Sequence, residues 1–139
     1  MKRIPYEDFE TAEGVLKQLC RSLKLLASPA QVQVNHFPVH WIVLTDEMAD
    51  DLAHWAECVS TYWELPQEQK TRLTELDGFL SEMSGSDNAA FWTDEALFTD
   101  SRWEKVRNLA PAALVSFGWP LEVPPPVRLL PNGSVHDGY

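Results

Sequence analysis

The sequence predicts a mainly α-helical fold, a compact bundle of four to five helices with short β-strands or a hairpin near residues 31–44 and 127–136. An α+β arrangement is the alternative. Three observations predict it. Apolar residues recur at three- and four-residue steps over several long stretches, the period that stacks side chains on one helical face. Stop signals separate these stretches at Ser28-Pro29, Leu65-Pro66, Gly85 and Gly118. Alternating or β-branched runs, by contrast, are short.

The first helix is predicted over residues 6–27. Phe9, Ala12, Val15, Leu16, Leu19, Leu23 and Leu26 share one face, with Glu7, Asp8 and Glu10 in the first turn and Lys24 near the end. That polarity suits the helix dipole. Residues 30–44 read differently. Val32 and Val34 alternate with Gln31, Gln33 and Asn35, and Val39-His40-Trp41-Ile42-Val43-Leu44 is apolar and β-branched. Two short strands around Phe37-Pro38 are expected there.

The strongest helical signal is residues 45–64. Met48, Leu52, Trp55, Val59 and Trp63 stack on one face, which should be the core. Glu47, Asp50, Asp51, His54 and Glu57 fall on the remaining arc with Cys58 and Thr61, so the same helix should show an acidic stripe to water. Thr45 suits the N-cap. Pro66 opens the next helix, predicted to Ser84, with Leu73, Leu76, Leu80 and Met83 as its apolar row and Gly85 as its cap.

Residues 86–90 read as a loop. Thr93 can cap a short turn through Phe98, and Thr99-Asp100 begin a further helix that places Trp103, Val106, Leu109 and Ala110 together. Pro111 should bend or interrupt it before Gly118 caps the resumed segment. The prolines at 120, 124, 125, 126 and 131 exclude a regular helix beyond that point. The chain therefore divides into a helical domain, residues 1–118, and a Pro-rich strap, residues 119–139, packed on it.

Composition bounds the functional classes. At 139 residues the chain can bury a core without disulfides or metal. Its net charge is −10, and residues 45–100 hold 14 acids against Lys70 and Arg72, a local balance of −12. Such a field disfavours nucleic acid and anionic membranes and steers a basic protein partner. Met1-Lys2-Arg3-Ile4-Pro5-Tyr6 lacks the apolar run of a secretory signal, no segment has the length of a membrane span, and Cys20 and Cys58 show no paired spacing. The expectation is a cytoplasmic protein, with Cys20 a small buried hydrophobe.

Chemistry-bearing residues are sparse. Asp50, His54 and Cys58 lie four residues apart and can chelate a metal only with a further ligand, so neither metal nor cofactor is expected. Ser134, His136 and Asp137 share a tail unsuited to holding a catalytic triad. Nucleotide-binding, metalloprotease and serine-hydrolase signatures are missing. Two expectations follow. The first is a protein-binding module of inhibitory, immunity/antitoxin-like or regulatory type, using Glu47, Asp50, Asp51, His54 and Glu57 against a basic protein. The second is a small-ligand-binding protein or enzyme with a pocket built by His36, His40, Trp41, Trp92 and Trp103. Enzymatic activity is the less favoured of the two, and exposed tryptophan would favour a homodimer.

Overall fold

Ala12, Val15, Leu19, Leu23 and Leu26 bury one face of helix α1, Phe9–Leu26, and the fold is assembled against it. The computed structural model describes residues 1–3, 9–38, 43–129 and 135–136. Helix α2, Ala30–Asn35, follows, then α3, Leu44–Tyr62, and α4, Gln67–Glu82. A 3-10 helix, Ser86–Trp92, and the short α5, Ala96–Thr99, lead to α6, Ser101–Phe117. Two antiparallel pairs complete the elements. Strand β1, Lys2–Arg3, pairs with β2, Trp63–Glu64, and β3, Arg128–Leu129, pairs with β4, Val135–His136. The protein is thus mainly helical with short β pairs.

Helix α3 holds its predicted face. Met48, Leu52 and Val59 are fully buried and Trp55 is half-buried against the same core. Each fully buried apolar side chain contributes about 1.5–3 kcal/mol, so the orientation of α3 is firmly set. Trp63 leaves the helical row. It lies in β2, where its indole N–H donates to the carbonyl of Ala12 at 3.0 Å and ties the end of α3 to α1.

Trp103, Val106, Ala110, Ala113 and Leu114 of α6 are fully buried, facing α1 and α4. Trp103 lies flat on Phe91, with 4.4 Å between centroids and 4° between planes, and its indole N–H donates to the Phe91 carbonyl at 2.8 Å. The burial therefore leaves no donor unpaired there. Asp100 caps α6 by accepting from the Arg102 backbone N–H at 2.9 Å. Thr93 likewise accepts from the Ala96 N–H at 3.2 Å ahead of α5.

Several local expectations are corrected. The strand expected across 31–35 is α2, and its logic is the reverse of alternation: the polar Gln33 is buried. Its amide donates to the carbonyls of Leu25, which also accepts from the Ser28 N–H, and Leu26 at the end of α1, and its oxygen accepts from Arg107. Residues 39–42 of the second expected strand lie outside the described residues. Thr45 is not an N-cap, because α3 already begins at Leu44, and the buried Thr45 hydroxyl instead donates to the Trp92 carbonyl at 2.7 Å. Pro111 does not interrupt α6, which runs unbroken through it. Its buried neighbours Ala110, Ala113 and Leu114 hold the helix together despite the missing N–H.

Two further corrections concern turns. The loop expected over 86–90 is the 3-10 helix, with its kink at Asn88. Gly85 does not cap α4. That helix closes at Met83, whose N–H donates to the Leu80 carbonyl while the Ser84 N–H donates to that of Ser81, and Gly85 turns the chain at φ 103° beyond it. Gly118, at φ 73°, does cap α6 as expected, and the Trp119 N–H closes the turn on the Leu114 carbonyl at 3.0 Å.

Among the described residues, two polar contacts tie the distal part of the tail to the helices. Glu122 Oε1 accepts from Lys24 Nζ at 2.5 Å, and the Val127 N–H donates to the His36 carbonyl at 2.8 Å. Pro124 and Val127 are buried. Among the described residues no helix is long and apolar enough to cross a membrane.

Candidate functional site: an acid-lipped groove between two helices

The inward anchoring of Met48, Leu52 and Val59 leaves the opposite arc of α3 outward, but the expected acidic stripe divides into two flanks. Glu47 and Asp51, four residues apart, turn toward α1 and are half-buried. Asp51 Oδ2 accepts from Arg21 Nη2 at 3.1 Å, and Arg21 is itself buried. Burial pushes the Glu47 carboxyl above its ordinary range, the charges of Asp51 and Asp50 add to this, and Arg21 opposes it. Glu47 and Asp51 therefore serve the α1 interface more than a partner.

The second flank is open. Asp46, Asp50, Ala53, His54, Glu57 and Ser60 are exposed along α3. His54 stacks edge-on against Trp55 at 4.5 Å and sits 3.7 Å from Cys58 Sγ. Among the described residues no three His, Cys, Asp or Glu side chains come together to hold a metal ion.

Between this flank and α4 runs a groove that the sequence did not announce. One cavity of about 420 Å³ is lined by Asp46, Ala49, Asp50, Ala53, Asp77 and Trp92 among others. A second of about 530 Å³ continues it past Ala56, Glu57, Lys70, Leu73 and Gly78, sharing Ala53 and Asp77 with the first. The cause is local sequence. Ala49, Ala53 and Ala56 on α3 face Gly78 and Ser81 on α4, and small side chains leave the space between the helices unfilled. Buried Leu73 and Leu80 form the deeper floor. Asp77 sits at the middle of it, half-buried, and that burial pushes its carboxyl above the ordinary aspartate value. Trp92 closes one end, its indole N–H fixed to the Met83 carbonyl at 2.8 Å.

The expected His/Trp pocket is distributed otherwise. His36 is buried, packs edge-on against Phe37 at 4.8 Å and lines a separate cavity of about 250 Å³ with Gln31, Val32, Asn35 and Pro126. Trp103 is fully buried under Phe91 and reaches no opening, whereas Trp92 belongs to the acidic groove. His40 and Trp41 lie outside the described residues. Among the described tryptophans, Trp103 is buried and Trp55, Trp63, Trp92 and Trp119 are half-buried. No family model matches the chain, and no curated protein or solved structure matches it either.

Proposed function

We propose that the protein is a protein-binding module, of the inhibitory, immunity/antitoxin-like or regulatory kind, that engages a basic protein through the outward flank of α3. The observation that carries this reading is the pairing of a rigid support with a charged face. Met48, Leu52 and Val59 are locked into the core, while Asp46, Asp50 and Glu57 on the same helix stand in solvent. Charges held on a fixed scaffold steer a partner of opposite sign and select its orientation at little entropic cost. The net balance of −12 across residues 45–100 extends the field beyond the contact itself.

The reading is tested by comparing two immobilised proteins, the wild type and the triple variant Asp46→Asn/Asp50→Asn/Glu57→Gln, in the same native extract. A specific basic partner should be retained by the first, released by salt, and lost from the second. Equal retention by both would refute the use of this flank.

A further inference from the structure

The groove between α3 and α4 has features that specify the shape of what it receives, not only its charge. We infer that it is a docking site for an amphipathic basic helix of a partner protein. This rests on the reading above, that a basic protein is bound, and adds where and in what conformation.

Three observations carry it. First, both walls are helices, whose backbone hydrogen bonds are closed internally over Leu44–Tyr62 and Gln67–Glu82. Neither wall offers the row of free N–H and C=O groups that an added strand needs, so an occupant must satisfy its own backbone, as a helix does. Second, the floor is apolar and shallow. Ala49, Ala53 and Ala56 on one side and Leu73 and Leu80 below accept a narrow apolar row at helical spacing. From Asp46 to Ser60 the groove runs along α3 for about 21 Å, some four turns of an accommodated helix.

Third, the charges on the lips have a direction. Asp46 and Asp50 flank one half and Asp77 the middle, while Lys70 stands at the other end beside Glu57. Cationic side chains flanking the apolar row belong at the aspartate end. The same asymmetry places the occupant's helix N-terminus near Asp46 and its C-terminus near Lys70, matching the dipole to both. A second copy of this chain would bring acid against acid, and a polyanion would be repelled for the same reason.

The test uses the full-length protein and labelled peptides of about four helical turns. One is an amphipathic Leu/Lys helix. A second has the same composition in an order that cannot form an apolar face, and a third replaces Lys by Glu. Fluorescence anisotropy should show the Leu/Lys helix binding at least about tenfold more tightly than either control, a difference of about 1.4 kcal/mol. Ala53→Gln keeps the charge and fills the middle of the groove from an exposed helical site, and it should weaken binding by about tenfold or more. Glu64→Gln/Asp94→Asn removes as much charge as Asp50→Asn/Asp77→Asn but lies outside the groove, and it should change affinity by less than about twofold.

Equal binding of the ordered and disordered Leu/Lys peptides would overturn the helix claim. Unchanged affinity in Ala53→Gln, with loss in both charge-neutralised variants alike, would overturn the groove while leaving an acidic binding surface intact. Dimerisation of the protein through the same face, abolished by Ala53→Gln, would assign the groove to a second copy and overturn the proposal.

Discussion

The hydroxyl of Thr45, buried in the first turn of α3, donates to the main-chain carbonyl of Trp92 at 2.7 Å. This bond spans 47 residues and fixes the start of the acidic helix to the residue that closes the end of the groove. Thr45→Val keeps the shape and leaves the carbonyl without this donor, so it should lower stability by about 1–3 kcal/mol. Urea denaturation measures it. Thr45→Asp separates this role from N-capping. A cap would accept Asp, whereas a buried carboxylate facing a carbonyl should destabilise more than Val does.

The tail provides a second prediction. Lys24 is buried on α1 and its ammonium reaches Glu122, whose side chain is exposed. Glu122→Ala should cost roughly 1–2 kcal/mol, less than a fully buried pair because water screens the carboxylate. Amide exchange at Val127, bonded to His36, should quicken as the segment loosens. Adding Lys24→Met removes the desolvated charge and should restore stability to the wild-type level or above.

Asp100 and Arg102 supply a pH-dependent element. Side-chain hydrogen bonds from Arg102, reinforced by its backbone N–H, hold the Asp100 carboxyl below its ordinary value of 3.8. A depressed carboxyl stabilises the folded state above its unfolded pKa, and that stabilisation is lost as pH falls through the folded one. Asp100→Asn retains the cap of α6, so its deficit relative to wild type should be present at neutral pH and vanish in strong acid. Asp100→Ala also removes the cap, so about 1 kcal/mol of its deficit should persist in strong acid, added to the pH-dependent part at neutral pH. Thermal unfolding from neutral pH to about pH 2 reads both effects.

Asp77 has the opposite sign. Burial raises its carboxyl above the ordinary 3.8, so the folded chain holds that proton more tightly than the unfolded chain. Stability falls as pH rises through the window between the two values, and the cost is complete above it. Asp77→Asn should therefore raise the melting temperature at neutral pH, with the gain disappearing below the ordinary aspartate range. A loss of stability at neutral pH would show that Asp77 is held by a favourable contact instead.

Period and punctuation made most of the helices legible. Met48, Leu52 and Val59 announce their face because four-residue steps have few alternative readings, and Pro66 and Gly118 mark boundaries by their own backbone chemistry. Gln33 misleads because its burial depends on the carbonyls of Leu25 and Leu26 at the end of α1, which no local pattern reveals. Thr45 misleads similarly, since its partner lies on a distant segment.

The site was half legible. Asp50 and Glu57 were readable as outward acids, but the withdrawal of Glu47 and Asp51 toward Arg21 requires knowing that α1 lies on that side. The groove escaped because Ala53 and Gly78 carry no signal apart. The signal was present as small residues at helical spacing on two adjacent helices, and it acquires meaning only when the turn at Leu65-Pro66 sets those helices side by side.

The most direct measurement of the account is the association rate of the Leu/Lys helix with the full-length protein, followed by stopped-flow fluorescence between about 0.01 M and about 1 M salt. Steering by Asp46, Asp50 and Glu57 predicts a rate that falls at least about tenfold over this range, and a much flatter dependence in Asp46→Asn/Asp50→Asn/Glu57→Gln. A rate indifferent to salt, or identical in the two proteins, would contradict the claim that the outward flank of α3 is where a basic partner arrives.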